Sequence, residues 1–262
     1  MLAPRKLPRE FARWNRRWHA PLGRYDWIAR RLGRRNSLAM RYRGPFGYQT
    51  NNSTRVYEYP WAYHQISSLR RPLRIVELGA GLSGLQFVLA QEGHRVTNVD
   101  PGLAAAGVGF ALDQQLHRKL CCTFRSPVEL VSATLGRASI PDGSVDVLLS
   151  ISALEHFAVE DVEELTIHAR RVLHPGGVVI LTVDLFLDLH PFGYARSNMY
   201  GRNVDLRDLL ERASLDLLTG NREELFGFAE FDPRQILSRL STYHLGTGYP
   251  ALAQCLVATV RP

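Results

Sequence analysis

Residues 77–84 read Glu-Leu-Gly-Ala-Gly-Leu-Ser-Gly and form a glycine-rich loop between an apolar run that begins at Arg74 and a helix predicted over 84–92. Glycine lets the backbone turn sharply and lets a ligand approach the main chain where a side chain would block it. Asp100 ends the next predicted strand roughly 20 residues on, which is where nucleotide-binding folds place an acid that binds ribose hydroxyls. The loop therefore predicts either a ligand-binding strand–turn–helix unit or a turn that only packs a helix on a sheet.

Strands and helices alternate along the chain, which predicts a parallel sheet covered by helices on both faces. About 35 residues, 219–253, separate the last two strands; this is too long for a hairpin loop and predicts an insertion. The first predicted strand runs from Arg74 to Leu78, and the others cover 95–100, 128–131, 145–150, 178–183, 215–218 and 254–260. The predicted helices cover 58–69, 84–92, 104–119, 160–173 and 204–213.

Charge is distributed unevenly along the 262 residues. The net charge is +7, but residues 1–43 hold 13 basic and two acidic side chains, whereas the remainder holds 19 basic and 23 acidic ones. The chain is therefore predicted to consist of a basic, aromatic N-terminal extension over 1–57 and a mildly acidic domain over 58–262.

The basic extension is open to four interpretations. Phe11, Trp14 and Trp18 recur at helical spacing, which predicts a helix with an aromatic face and an arginine face. Such a helix could lie on an anionic membrane, contact nucleic acid, dock an acidic carrier or a phosphorylated small molecule, or be a packed cap with solvated arginines. We expect the packed cap, and we disfavour nucleic acid because the chain past Arg43 has no basic excess.

Composition excludes several classes of protein. No apolar run reaches the ~18–20 residues that span a bilayer, and no apolar segment follows the basic N-terminus as it does in a secretory signal. Cys121, Cys122 and Cys255 lack the spacing of a disulfide framework or a zinc site. We therefore expect a cytoplasmic protein.

Glu77 discriminates between the ligands that the glycine loop could bind. It lies two positions before the first glycine, which places a carboxylate at the end of the strand beneath the loop. A pyrophosphate would be repelled there, whereas a cationic sulfonium amino acid would be attracted.

The loop resembles the first motif of the class I S-adenosylmethionine-dependent methyltransferases, an acid followed by x-Gly-x-Gly. Glu77, Gly79 and Gly81 match it, and Ser83 stands where a third glycine is usual. The resemblance implies an α/β fold with a Rossmann-like doubly wound sheet, mostly parallel with an antiparallel last strand, together with an N-terminal helical cap. It also implies S-adenosylmethionine as the cofactor and S-adenosylhomocysteine as its product.

Two further stretches resemble the same family in the same order. Residues 140–157, in which Asp146 opens a strand, are similar to its fourth-strand region. Residues 173–177, Leu-His-Pro-Gly-Gly, are similar to the turn that ends a helix and begins its fifth strand, and proline and glycine favour that reversal.

The resemblance implies which residues contact the methyl donor, S-adenosylmethionine. Asp100 would bind the ribose hydroxyls, and the segment after the third strand would lie by the adenine, where the family often has an acid and this chain has none. The implied donor-binding residues are Glu77, Gly79, Ala80, Gly81, Asp100, Pro101, Ser132, Ala133, Ser150 and Ser152.

His156 is the candidate catalytic residue, because imidazole titrates near neutral pH and the residue follows the fourth strand, close to the expected methyl position. A role in packing or hydrogen bonding would also explain this residue. Glu155 and Asp184 are predicted to orient the acceptor. Asp184, Asp188 and His190 could hold Mg²⁺, but we prefer a polar loop and expect no metal.

Aromatic residues are predicted to line the acceptor pocket. Tyr59 and Trp61 belong to an aromatic stretch over 57–64, whose rings could shield a sulfonium or simply pack a helix on the sheet. In the late insertion Tyr243, with His244, Tyr249 and Pro250, is predicted to form a second wall.

The sequence thus predicts a methyltransferase acting on oxygen or nitrogen of a small organic acceptor, such as a sugar or a natural-product intermediate, phosphorylated or carrier-linked in some cases. An NAD-dependent oxidoreductase with the same loop remains open, as does a catalytically inert binding or scaffold protein. No motif indicates an oligomeric state.

Overall fold

The computed structural model describes residues 1–24, 36–69, 72–102 and 112–261. Within them the chain forms one seven-stranded sheet. Its strands are β1 Arg74–Leu78, β2 Arg95–Val99, β3 Val128–Val131, β4 Val145–Ile151, β5 Leu173–Phe186, β6 Leu215–Thr219 and β7 Ala251–Val260.

The strand order across the sheet is β3-β2-β1-β4-β5-β7-β6. The first five strands pair in parallel, whereas β7 runs antiparallel to both β5 and β6. The predicted mostly parallel sheet with an antiparallel last strand is confirmed. Because the order reverses between β1 and β4, the carboxyl ends of these strands open into a crevice where ligands bind in such folds.

Helices cover both faces of the sheet. Successive residues of β1 point to opposite faces of the sheet, and Ile75 and Val76 accordingly belong to two separate apolar clusters. Each face therefore has to be covered. The helices are α1 Arg9–Trp18, α2 Ser37–Arg43, α3 Arg55–Ser67, α4 Gly84–Gln91, α5 Gln114–Phe124, α6 Val159–Val172, α7 Leu206–Arg212 and α8 Pro233–Ser238. None of these described helices has the length and apolar character needed to cross a bilayer.

The Leu-His-Pro-Gly-Gly segment follows the end of α6 at Val172 and begins the fifth strand as predicted, but its residues belong to β5 and form no separate turn before it. Leu173 pairs with Val145 and Val178 pairs with Val147, so the additional residues of β5 are absorbed as an irregularity in the ladder. Gly176 has φ +84°, a conformation that side-chain-bearing residues rarely adopt.

Two other predicted boundaries also shift. The helix expected over 104–119 extends to Phe124 in the described part, and Arg125 ends it with a left-handed φ of 53°. Residues 103–111 lie outside the described residues. The last strand begins at Ala251 rather than 254, because its pairing with β5 continues to Phe186.

The N-terminal segment packs on α3 through its aromatic face. Phe11 and Trp14 are buried, and their rings lie 5.2 Å from Tyr57 and 5.3 Å from Tyr63 respectively. The arginines of α1 point to solvent. Before α1, the amide of Ala3 donates to the carbonyl of Ala253 in β7, so this segment also extends the sheet.

Candidate functional site

Two glycines of the loop after β1 adopt conformations that disfavour a side chain. Gly79 has φ +65° and Gly81 has φ +55°. A Cβ on Gly79 would lie 2.8 Å from that of Ala153, and a Cβ on Gly81 would lie 2.8 Å from Gln49 Oε1. The backbone angle therefore favours glycine at both positions, and at Gly79 the close approach of Ala153 excludes a side chain as well.

Asp100 closes over the same loop from the end of β2. Its Oδ2 accepts from the Gly81 amide at 2.7 Å, and its Oδ1 accepts from the Gly102 amide at 2.7 Å. The Asn98 side chain donates to the Gly81 carbonyl at 3.0 Å. The structure thus brings the predicted Gly79, Gly81 and Asp100 together at one edge of the sheet.

Glu77 is buried at the end of β1, with 1% of its surface exposed. Among the described residues, neither carboxylate oxygen has a hydrogen-bond partner. Burial, reinforced by the charge of Asp100, raises the pKa of Glu77 to about 8. A buried, unpaired carboxyl group of this kind favours a cationic ligand.

A small apolar cleft, partly open to solvent, lies beside the loop at the carboxyl ends of β1 and β2. The predicted Pro101 and Ala133 line it. Ser132 does not: its hydroxyl is exposed and accepts from Gln114 of α5 at 2.9 Å. The cleft residues are Leu78, Val99, Pro101, Ala133, Thr134, Leu135, Phe157, Asp161 and Leu165.

The hydroxyl groups of Ser150 and Ser152 contact different parts of the structure. The Ser150 hydroxyl donates to the carbonyl of Leu78 at 3.4 Å, so Ser150 lies beside the end of β1, just before the glycine loop. Ser152 has φ +39°, and its hydroxyl donates to Glu58 Oε1 at 2.6 Å. Ser152 therefore belongs to a different group of polar residues.

That group is a buried charge cluster of Arg55, Glu58, Glu155 and Asp184. Arg55 Nη1 lies 2.6 Å from Glu58 Oε2 and 3.8 Å from Asp184 Oδ2. The Asp184 amide donates to Glu155 Oε1 at 3.2 Å, and the Tyr249 hydroxyl donates to Asp184 Oδ2 at 2.6 Å. The three carboxyl groups have no exposed surface. One guanidinium thus serves three carboxyl groups.

The shortage of positive charge determines which carboxyl groups in the cluster ionise. Burial disfavours the charge of Glu58, but Arg55 and the Ser152 hydroxyl outweigh it and lower its pKa. Burial raises the pKa of Asp184 to about 6 against the attraction of Arg55. Burial and the neighbouring Asp184 raise the pKa of Glu155 well above its usual range. Glu58 is therefore the carboxyl group of the cluster that ionises most readily, and burial beside Asp184 opposes the ionisation of Glu155.

His156 lies in a short 3₁₀ turn after β4, Leu154–His156, and its Nδ1 is hydrogen-bonded to the carbonyl of Tyr200. A carbonyl only accepts, so Nδ1 carries the proton and Nε2 the lone pair of the neutral ring. Burial lowers the pKa of His156. The Tyr200 ring stacks on the Tyr249 ring with the centroids 4.4 Å apart, so the residue that binds His156 also contacts the residue that binds Asp184.

The remaining predicted residues divide between this site and the core. Tyr59 is buried, and its hydroxyl donates to Asn51 Oδ1 at 2.9 Å. Trp61 packs in the main apolar cluster. Tyr243 lies in a separate cluster and donates to Glu224 at 3.1 Å, so Tyr249 is the insertion residue that reaches Asp184. In the described part of the chain, no group of three or more His, Cys, Asp and Glu could hold a metal ion.

Sequence reasoning missed two residues of this region. Arg55 precedes the aromatic stretch and pairs with Glu58 at i+3, a spacing that could have indicated an ion pair on α3. Gln49 approaches the glycine loop from the irregular segment before α3, and its amide oxygen accepts from the Leu82 amide at 2.7 Å. No local pattern in the sequence indicated that contact.

Comparison with known proteins adds to this geometry. No curated protein sequence matches the chain. The magnesium protoporphyrin IX methyltransferase of Synechocystis PCC 6803, with bound S-adenosylhomocysteine, is 12% identical and superposes with a TM-score of 0.51 over 96% of this chain and 94% of that one. The 1,6-didemethyltoxoflavin-N1-methyltransferase of Burkholderia thailandensis is 18% identical, with a TM-score of 0.50 over 77% of each chain.

At these identities the two structures establish the shared fold. The family described as a methyltransferase domain matches residues 76–181, which run from β1 into β5 and include the glycine loop, Asp100 and His156. Over residues 76–181 the chain is therefore similar to the methyltransferase domain family.

Proposed function

We propose that the chain transfers a methyl group from S-adenosylmethionine to oxygen or nitrogen of a small organic acceptor. The observation that carries this proposal is Glu77, a buried carboxyl group without a partner beneath the glycine loop. The ammonium and sulfonium groups of the donor would neutralise it, whereas the pyrophosphate of NAD would add a second negative charge.

The residues present fit this donor along its length. Glu77 and the loop of Gly79, Ala80 and Gly81 would hold the methionine part, and Asp100 would exchange its amide contacts for the ribose hydroxyls. The apolar cleft would take the adenine. Asp161 of α6 lines that cleft and supplies an acid that the segment after β3 lacks.

When bound, the donor supplies a methyl group activated on sulfur, so the protein has to align the acceptor and remove its proton. His156 is suited to that task, because its buried ring is neutral at neutral pH with the lone pair on Nε2. Glu155 and Asp184 would orient the acceptor, and the Tyr200–Tyr249 pair would exclude water from it.

The small-molecule acceptor is supported by the two superposed methyltransferases, which are named for a porphyrin and a toxoflavin precursor. A sugar or a natural-product intermediate belongs to the same size class. We also propose a cytoplasmic location, in keeping with three cysteines that are all free.

Calorimetry tests the donor directly. We expect S-adenosylmethionine and S-adenosylhomocysteine to bind and NAD not to bind. Binding of NAD alone would overturn the assignment in favour of an oxidoreductase. Donor binding with no methyl transfer to any member of a library of hydroxyl and amine acceptors would favour a binding or scaffold protein.

Asp100→Ala is expected to weaken S-adenosylhomocysteine binding by about tenfold or more, because two ribose hydroxyls would lose a charged acceptor. Isothermal calorimetry gives the dissociation constant. Asp216→Ala, on the exposed part of β6, is the matched control and should bind as the wild type does. Equal affinities for the two variants would contradict the role of Asp100.

His156→Ala is expected to lower kcat by about 100-fold, the contribution of a positioned base, with donor affinity nearly unchanged. Steady-state kinetics and calorimetry together separate the two quantities. His168→Ala on α6 removes a half-buried histidine elsewhere and serves as the control. An unchanged kcat in His156→Ala would exclude the base role.

A further inference from the structure

The side chain of Gln49 contacts the glycine loop at Gly81 and Leu82. Its Oε1 accepts from the Leu82 amide at 2.7 Å and lies 2.8 Å from the position that a Cβ on Gly81 would take. Gln49 is half-buried and belongs to the segment between α2 and α3, well outside the residues that match the methyltransferase family.

The backbone amides of the glycine loop have acceptors of different origin. The Gly79 amide donates to Val99 O at 3.0 Å, and the Ser83 amide donates to Ala80 O at 2.9 Å. The Gly81 amide is taken by Asp100. The Leu82 amide therefore differs from these three, because its acceptor comes from the N-terminal segment and not from the loop or the strand beside it.

The surroundings of the Leu82 amide favour an anionic oxygen over a neutral one. Leu82 lies two residues before α4 begins, where the positive end of the helix dipole adds to the field of the amides. A side-chain amide oxygen carries only a partial negative charge. A carboxylate oxygen at the same position would be held more strongly.

Asn51 holds the backbone of Gln49 in place, whereas the half-exposed side chain of Gln49 is held by its hydrogen bond to the Leu82 amide. Asn51 Nδ2 donates to the Gln49 carbonyl at 3.4 Å and to the Pro21 carbonyl at 2.7 Å, and Asn51 Oδ1 accepts from the Tyr59 hydroxyl. A rotation of the half-exposed amide can therefore exchange an accepting oxygen for a donating NH₂ group without moving the chain.

We propose that Gln49 recognises the carboxylate of the donor's amino-acid moiety. The donor carboxylate replaces Gln49 Oε1 on the Leu82 amide, and the Gln49 NH₂ group then donates to that carboxylate. This rests on the proposed function, in which Glu77 holds the ammonium group. Because the ammonium and carboxylate groups share one carbon atom, an ammonium at Glu77 brings the carboxylate to the adjoining loop. Gln49 is thus a positioning residue for the donor.

Two ligands separate this role from a purely structural one. S-adenosylhomocysteine has the amino-acid moiety, whereas 5′-methylthioadenosine has the same adenosine and sulfur without it. Gln49→Glu is expected to weaken S-adenosylhomocysteine binding more than tenfold through repulsion between carboxylates, and Gln49→Ala about tenfold through the lost hydrogen bond. Both variants should bind 5′-methylthioadenosine within about twofold of the wild type.

Thr50→Glu places the same charge on an exposed neighbour and should leave both dissociation constants within about twofold of the wild type. Calorimetry on the full chain gives all of these values. An equal loss for both ligands in Gln49→Glu and Gln49→Ala would assign Gln49 a structural role and overturn the proposal, as would unchanged binding of S-adenosylhomocysteine. If the wild type binds 5′-methylthioadenosine and neither amino-acid-bearing ligand, the proposed donor fails together with this inference.

Discussion

Arg55→Met is expected to lower the free energy of unfolding by about 3–5 kcal/mol, the cost of leaving the buried carboxyl groups of Glu58 and Asp184 without the guanidinium that pairs with them. Arg55 is 7% exposed. Its Nη1 contacts Glu58 Oε2 and lies 3.8 Å from Asp184 Oδ2. Its Nη2 also donates to the Ser152 carbonyl at 3.3 Å. Methionine would fill the volume but satisfy none of these acceptors.

The loss should depend on pH in a defined direction. Without Arg55 the pKa values of Glu58 and Asp184 rise in the folded state above their unfolded values, so each carboxyl group costs stability once the pH exceeds its unfolded pKa. The difference between the wild type and Arg55→Met should therefore be small near pH 4 and grow toward pH 7. Urea unfolding monitored by circular dichroism at several pH values measures it.

Arg74→Met is the matched control, because it removes an arginine whose partner Asp146 is at the surface. Solvent screens that pair, so we expect little change in its unfolding midpoint. If Arg55→Met were no less stable than Arg74→Met at pH 7, the buried charge cluster would not be held together by its guanidinium.

Glu77→Gln should weaken donor binding about 100-fold while making the ligand-free protein more stable. The two effects have one cause. The raised pKa of about 8 means that ionising Glu77 costs folding free energy as the pH rises from its unfolded value toward 8. Glutamine has no such cost, and we expect a gain of about 3–4 kcal/mol at pH 8 that shrinks to less than about 1 kcal/mol near pH 5.

Donor affinity supplies the complementary measurement. In the wild type, S-adenosylmethionine must bind the ionised carboxylate, so its affinity should increase as the pH approaches 8, and binding below that pH should release a proton to the buffer. In Glu77→Gln the affinity should be flat with pH. Glu129→Gln, an exposed acid on β3, is the control. A glutamine variant that binds the donor as tightly as the wild type would remove the main support for the proposed function.

Elements defined by local pattern were predicted well. The glycine loop, Asp100 at the end of β2 and the limits of β3 follow from spacing and hydrophobicity within short windows, and they lie where expected. A left-handed turn of Gly79 or Gly81 needs glycine whatever surrounds it. Local chemistry is therefore sufficient for this part of the site.

Contacts between distant segments were predicted poorly. Tyr249 rather than Tyr243 contacts Asp184. This depends on how the end of the insertion pairs with β5, where Leu252 pairs with Leu185 and Ala251 with Phe186. Both tyrosines carry the same local signal. The direction of Ser132 toward Gln114 similarly depends on where α5 lies beside β3.

By itself, the sequence determined the order of strands and helices, the glycine loop and the acid beneath it, because periodicity and glycine geometry are properties of neighbouring residues. Only the tertiary structure decided that Arg55, Glu58, Glu155 and Asp184 share one buried cluster and that Gln49 lies on the loop. Their meeting depends on the parallel strands ending at one edge and on the N-terminal segment crossing that edge. Burial at that crossing then changes the ionisation of the carboxyl groups, which no pattern of neighbouring residues can indicate.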